Sequence, residues 1–108
     1  MKKILTATVF LLIAFVPAAR ADVWIRVPDA SQIYYQTADN RIYLRNVNSF
    51  DSNALGCCYY YFIDMSTIEG KALFSAMLTA AARGTPFLFA IPDNYAAGTV
   101  RYGGYWVN

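Results

Sequence analysis

The sequence contains no histidine, so it lacks the side chain that proteins most often use for acid–base catalysis near neutral pH and for binding transition metals. Charge is scarce as well, and the seven acidic residues show no close pair of the kind that glycosidases need. Lys71 and Ser75, one helical turn apart, are a formal nucleophile and base, but a polar helix face explains both residues better. The sequence therefore predicts a protein that is not an enzyme and carries neither cofactor nor metal.

Only two cysteines are present, and Cys57 and Cys58 are adjacent. The two-residue spacer of a C-x-x-C motif is missing, which argues against a redox enzyme. Neighbouring side chains of a strand point to opposite faces, so a disulfide between them needs a distorted turn. Three arrangements stay open: such a disulfide, two free thiols, or a bond to another chain. A periplasmic thiol function is a further hypothesis, which mass spectrometry with and without reductant would test.

The one long apolar run lies at the start of the chain and is too short to cross a bilayer. Lys2 and Lys3 precede the apolar residues 4–16, and Pro17 ends the run. About 13 residues fall short of the roughly 20 that a spanning helix needs. Small side chains at Ala19 and Ala21, with cleavage expected after Ala21, complete the pattern of a signal peptide over residues 1–21. We expect a periplasmic or secreted protein with one domain at residues 22–108 and no membrane span after cleavage.

Removing the signal peptide changes the charge of the protein. Residues 22–108 carry six basic and seven acidic side chains, a net charge of about −1 where the whole chain has +2. A near-neutral surface without basic clusters offers nothing that would attract nucleic acid. Nucleic acid is therefore not an expected partner.

Hydrophobic alternation and turn residues predict short strands around one helix. The predicted strands are residues 23–27, 41–47, 58–64, 86–91 and 99–107, and residues 32–36 are a weaker candidate for one more short strand. The helix should begin at a capping box, Ser66 to Glu69, and end at Gly84. Gly103 and Gly104 suggest a bulge or bend inside the last strand. This order predicts a β-rich α+β fold, a small five-stranded barrel of the oligonucleotide/oligosaccharide-binding type with the helix between strands 3 and 4. An open antiparallel sheet with one helix across it is the alternative.

One stretch, residues 57–91, resembles a known family. It reads CCYYYFIDMSTIEGKALFSAMLTAAARGTPFLFAI: an aromatic strand, a capped helix, a Gly turn and an apolar strand. This pattern is similar to the B subunits of bacterial AB5 toxins of the subtilase cytotoxin and typhoid toxin type. The resemblance implies the same barrel, a ring of five copies, and an outer face that binds sialylated glycans. Those subunits carry well-separated cysteines, whereas this chain has an adjacent pair.

The candidate ligand-binding residues are mostly aromatic. Tyr34, Tyr35, Tyr43 and Arg45 combine flat rings with hydrogen-bond donors, a composition typical of sugar-binding surfaces. The resemblance makes Ser31 the nearest candidate for the family's glycan-binding serine, although it follows alanine instead of an aromatic residue. The alternative role for these tyrosines is to fill the core or a seam between subunits.

Two functional hypotheses follow from the sequence. The first is a secreted module that binds a cell-surface glycan or receptor and assembles as a homo-oligomer, a pentamer by resemblance. The second is a periplasmic protein-interaction or structural domain with no carbohydrate role. A neighbouring gene for a toxin-type enzyme would favour the first hypothesis.

Overall fold

The computed structural model describes residues 22–104, which form two β-sheets and one α-helix around a shared core. The seven strands are β1 (Val23–Val27), β2 (Tyr35–Ala38), β3 (Arg41–Leu44), β4 (Tyr61–Asp64), β5 (Phe87–Ile91), β6 (Gly98–Thr99) and β7 (Tyr102–Gly104). The helix α1 is Ile68–Arg83, and short 3₁₀ helices lie at Ala30–Gln32, Val47–Ser49 and Asp93–Tyr95. The predicted signal peptide, residues 1–21, and residues 105–108 lie outside this part of the chain. No helix within residues 22–104 is both long and apolar enough to traverse a membrane.

The strands divide into a three-stranded and a four-stranded sheet. The first sheet has the order β1-β5-β7 and is antiparallel throughout. The second sheet has the order β2-β3-β4-β6, in which β6 runs parallel to β4. The chain passes from the second sheet to the first at Val100, which is buried and whose amide donates to the Phe62 carbonyl at 2.7 Å. That short connection ties the two sheets together.

The predicted five-stranded barrel with a helix between strands 3 and 4 is wrong. Seven strands form two separate sheets, the helix follows the fourth strand, and residues 22–104 do not form a closed barrel. The main cause lies at the C-terminal end, where the single strand predicted at 99–107 is two short strands that pair in different sheets. The part of that prediction beyond Gly104 falls outside the described residues.

The bulge predicted at Gly103 and Gly104 is also wrong, because both residues continue a regular ladder with β5. Gly103 is needed for space and not for a bend. A Cβ at this position would lie 2.6 Å from Leu73 Cδ1 and 2.9 Å from the Leu88 carbonyl oxygen. The missing side chain therefore lets the helix pack closely against the edge of the first sheet.

Helix α1 ends where the sequence predicts and begins one residue later. Gly84 closes the helix with a left-handed φ of 64°, as expected for a C-terminal glycine. At the other end the N-cap is Thr67, whose Oγ1 accepts from the Gly70 amide at 2.9 Å. The Ser66 hydroxyl donates instead to Asp64 Oδ1 at 2.6 Å, so the predicted capping box is wrong. This bond and the Ser66 amide hold the pKa of Asp64 below its usual value.

The capping arrangement predicts the outcome of two single substitutions. Thr67→Ala removes the acceptor for the Gly70 amide and should lower the free energy of unfolding by about 1 kcal/mol. Ser66→Ala is the matched control, because the Ser66 hydroxyl contacts only an exposed carboxylate and should cost less. Urea unfolding followed by circular dichroism measures both. A larger loss in Ser66→Ala than in Thr67→Ala would contradict the assignment of the cap.

The core draws on both sheets and the helix. Its largest fully buried side chains are Tyr61, Phe87, Phe89, Ile25, Ile63, Met77, Ile91, Val27, Val47 and Val100. The helix contributes a buried stripe of Gly70, Leu73, Met77 and Ala80. Helical spacing predicts an apolar arc that includes Leu73, Met77 and Leu78, with Met77 in the core. Met77 is buried as predicted, but Leu78 is 39% exposed, so the buried stripe is narrower than the sequence pattern indicates. The helix packs against β4 of the second sheet and β7 of the first.

A candidate ligand-binding face on the second sheet

Strand alternation separates a buried and an exposed side of the second sheet. The paired residues Ile42 and Ile63 point into the core, while the adjacent row Gln36, Tyr43 and Phe62 points away from it. We call the exposed side, together with the segment that folds over its end, the outer face. It comprises Gln36, Arg41, Tyr43, Arg45, Tyr59 and Phe62.

Tyr43 is the centre of an aromatic cluster on the outer face. Its ring meets Tyr59 edge-on at a centroid distance of 5.2 Å and Phe62 at 5.8 Å. Such pairs contribute about 0.5–1.5 kcal/mol beyond the area that they bury. The Tyr59 hydroxyl also donates to Gln36 Oε1 at 3.3 Å. These contacts hold Tyr59 over the sheet while 56% of its surface stays exposed.

Two arginines flank the aromatic rings. The guanidinium carbon of Arg41 lies 4.1 Å from the centroid of Phe62, which is a close cation–π contact. The guanidinium carbon of Arg45 lies 6.0 Å from the centroid of Tyr59, at the outer limit of such a contact. Arg41 Nη1 also donates to the Tyr43 hydroxyl at 3.5 Å. Planar donors are thus placed beside the half-buried Phe62 and the exposed Tyr59.

The adjacent cysteines lie beside Arg45. Of the three arrangements left open by the sequence, the structure contains the disulfide between Cys57 and Cys58. Arg45 Nη2 donates to Cys58 Sγ at 3.2 Å and lies 3.7 Å from Cys57 Sγ. Its Nε is buried and has no hydrogen-bond partner among the residues described. The guanidinium therefore connects the disulfide to Tyr59.

The structure brings together some of the predicted ligand-binding residues. Tyr43 and Arg45 share the outer face, and the Arg45 amide donates to the Tyr34 carbonyl at 2.8 Å. Tyr34 is 68% exposed and lines a hollow of about 510 Å³ with Arg26 and Asn46, outside the outer face. Tyr35 lies on the opposite side of its strand, where its ring meets the helix residue Phe74 edge-on at 5.3 Å.

Ser31 is not part of the outer face. It lies in the 3₁₀ helix Ala30–Gln32, and its hydroxyl donates to Asp29 Oδ1 at 2.6 Å. This bond, with a second from the Ser31 amide, holds the pKa of Asp29 below its usual value. The hydroxyl therefore serves a local turn.

Sequence reasoning did not single out Tyr59, Phe62 and Arg41 as site residues. Alternation along residues 41–47 predicts that Arg41, Tyr43 and Val47 share one side, and extending the alternation to β4 finds Phe62. Val47 departs from this order and is buried, because the 3₁₀ helix Val47–Ser49 interrupts the alternation. Tyr59 precedes the strand, in a bent segment, so alternation along a strand does not predict its position.

The side chains of the outer face supply aromatic rings and guanidinium and amide donors that can contact a ligand. Within residues 22–104, no group of three or more His, Cys, Asp or Glu side chains could hold a metal ion. The hollows at Tyr34 and at Tyr102 contain no residue of the outer face, which is an open surface. An open aromatic surface with planar donors suits stacking and hydrogen bonding with an extended ligand.

Comparison of the chain with family models, with curated proteins and with solved structures finds no match. The resemblance of residues 57–91 to AB5-toxin B subunits accordingly stays a prediction. Support for a function comes from the outer face itself.

Proposed function

We propose that this protein is a secreted, non-catalytic binding module whose outer face binds carbohydrate. The observation that carries the proposal is the exposed Tyr59, held edge-on against the half-buried Tyr43 at 5.2 Å and flanked by Arg45. A pyranose ring presents C–H groups on its faces and hydroxyls around its edge. Aromatic faces bind the former, and guanidinium and amide groups bind the latter.

The contacts within the outer face favour preorganisation over flexibility. Tyr59 is restrained by the Tyr43 ring and by its hydrogen bond to Gln36 Oε1 at 3.3 Å. Side chains that are already ordered lose less conformational entropy when a ligand binds, and this raises affinity. The amide nitrogen of Gln36 stays available as a donor, because its oxygen accepts the tyrosine proton.

Homo-oligomerisation is part of the proposal, because a single shallow face binds one sugar weakly and several linked copies bind through avidity. Exposed apolar side chains away from the outer face support contacts between copies: Trp24 is 52% exposed, Ile68 83% and Tyr102 53%. A ring of five is the stoichiometry that the resemblance implies. Light scattering on the protein lacking residues 1–21 gives the mass of the assembly.

A glycan array on that protein tests carbohydrate binding, with neutral and acidic oligosaccharides both present. Tyr59→Ala should weaken binding of the best glycan about tenfold, equivalent to about 1.4 kcal/mol, because the stacking ring is lost. Tyr60→Ala is a matched control, since Tyr60 is the adjacent tyrosine, is 45% exposed and lies outside the outer face. Wild-type protein that binds no glycan, or equal losses in both variants, would contradict the proposal.

The second candidate is a periplasmic module that binds a protein through the same face. Arg41 stacked 4.1 Å from Phe62 favours it, since arginine and aromatic residues dominate the binding energy of protein interfaces. The two candidates differ in their response to sugar. A protein partner would give a blank glycan array and a complex that Tyr59→Ala weakens and free oligosaccharide leaves intact.

A further inference from the structure

The disulfide between Cys57 and Cys58 is asymmetric in its surroundings. Cys57 is exposed to solvent, whereas Cys58 is half-buried. Arg45 Nη2 lies 3.2 Å from the sulfur of Cys58 and 3.7 Å from that of Cys57. Cys57 is therefore the more accessible of the two residues, and the guanidinium, which donates to both sulfurs, lies closer to that of Cys58.

We infer that this disulfide is a site of reductive modification by a small thiol or dithiol, with Arg45 as its positioning residue. The incoming thiolate attacks Cys57 Sγ, forms a mixed disulfide and breaks the Cys57–Cys58 bond. The electron pair of the broken bond goes to Cys58 Sγ, which leaves as a thiolate. Exchange is faster when the leaving sulfur carries negative charge more readily, and the guanidinium stabilises that charge.

The second step releases the reagent. The other thiol of a dithiol attacks the mixed disulfide, Cys57 leaves and takes up a proton, and the reagent departs as its own cyclic disulfide. The protein disulfide is thereby reduced by two electrons and the dithiol is oxidised by two. A monothiol stops at the mixed disulfide on Cys57 or is displaced by a second molecule of the same thiol.

Reduction has a consequence for the outer face, and this part rests on the proposed function. Arg45 lies between the disulfide and the Tyr59 ring, so a thiolate at Cys58 draws the guanidinium away from a ligand. Tyr59 follows Cys58 directly in the chain and loses a covalent restraint on its backbone. The oxidised protein is the binding form, and reduction should weaken glycan binding about tenfold.

The chemistry is tested by the rate of reduction. Oxidised wild type, Arg45→Met, Arg45→Lys and Arg41→Met are treated with dithiothreitol, trapped with iodoacetamide and weighed by mass spectrometry. Arg45→Met should react about tenfold more slowly, since the leaving thiolate loses its cation, and Arg45→Lys should recover part of the rate. Arg41→Met controls for loss of an outer-face arginine that stacks on Phe62 and should react like wild type. Circular dichroism checks that each variant is folded.

Three results would overturn the inference. The first is an unchanged reduction rate in Arg45→Met, or equal slowing in Arg41→Met. The second comes from peptide mapping after acid-quenched reaction with glutathione, where the adduct is expected on Cys57 and a predominant adduct on Cys58 would reverse the assignment. Protein that keeps two free thiols in oxidised glutathione would also overturn it.

A binding arm separates this inference from the proposed function. Glycan binding is compared between the oxidised and the reduced, alkylated protein, with Cys57→Ser/Cys58→Ser as an unalkylated reference. Equal binding in all three forms refutes the link between reduction and the outer face. No binding in any form refutes the proposed function, while the reduction rates still decide whether the disulfide is reactive.

Discussion

Gly70→Ala is expected to lower the free energy of unfolding by about 3 kcal/mol, at the upper end of the usual cost of overpacking. A Cβ on Gly70 would overlap the carbonyl oxygen of Asp64 and lie 2.9 Å from Thr67 Oγ1. Neither atom can move freely. The carbonyl ends β4 and accepts from the Thr67 hydroxyl at 3.1 Å, and that hydroxyl caps the helix.

The cost at this position comes from space and not from backbone conformation. Among residues 22–104, the glycines with positive φ are Gly84 and Gly98, so Gly70 has a conformation that alanine can adopt. In an open helical site the same change would be favourable, because alanine is the better helix former. The expected destabilisation is therefore a direct measure of how tightly the first turn of the helix packs against the end of β4.

Gly104→Ala is the matched control, since a Cβ there would meet no atom of residues 22–104 within 4 Å. Its effect should stay within about 0.5 kcal/mol, as for most surface substitutions. Urea or thermal unfolding of the two variants beside wild type provides the comparison. A stable Gly70→Ala protein would show that the junction between β4 and the helix has room that the structure does not contain.

Tyr61→Phe should cost about 2 kcal/mol, because two hydrogen bonds to backbone groups are lost together. The Tyr61 side chain is 1% exposed, and its hydroxyl donates to the Tyr95 carbonyl at 2.8 Å. The same hydroxyl accepts from the Leu55 amide at 2.9 Å. Phenylalanine keeps the ring but leaves both backbone groups without this partner. Burial also raises the pKa of Tyr61 above the usual tyrosine value.

Tyr34→Phe provides the comparison at an exposed site, because Tyr34 is 68% exposed and water replaces whatever its hydroxyl loses. It should unfold at nearly the same urea concentration as wild type. Amide hydrogen exchange adds a local readout, since Leu55 should lose protection in Tyr61→Phe. If Leu55 keeps its protection and the midpoint does not move, the Tyr61 hydroxyl does not hold this loop.

Local features of the fold could be predicted from short stretches of sequence. The first strand, Val23–Val27, is confirmed at both ends, because it alternates and stops before a proline. Asp39 and Asn40 are typical turn residues, and they form the turn between β2 and β3 with positive φ, which asparagine and aspartate tolerate. In each case the signal lies in neighbouring residues.

The arrangement of the sheets could not be predicted in this way. The pairing of β6 with β4 is parallel and joins Tyr61 to Gly98, far apart in sequence. The residue pattern over 99–107 predicts one strand. The backbone instead leaves the second sheet after Thr99 and enters the first sheet at Tyr102. Whether short strands close into a barrel or separate into two sheets depends on these distant pairings, and no local pattern encodes them.

The candidate site could be predicted only in part, because local alternation finds residues on strands and does not find residues in bent segments. Alternation along β3 finds Tyr43, and continuing it finds Arg45 next to the loop. It cannot find Tyr59, which reaches the sheet through the bend at Cys57 and Cys58. Ser31 is a candidate only through the resemblance to the toxin B subunits, and in the structure its hydroxyl donates a hydrogen bond to Asp29.

The in-and-out order of β3 and β4 has a consequence for how this protein can diverge. Ile42 and Ile63 are buried and carry the packing, whereas their neighbours Tyr43 and Phe62 point away from the core. Related sequences can therefore acquire new specificities at the outward positions while the inward positions are kept. Selection for what is recognised and selection for remaining folded act here on alternate residues of the same two strands.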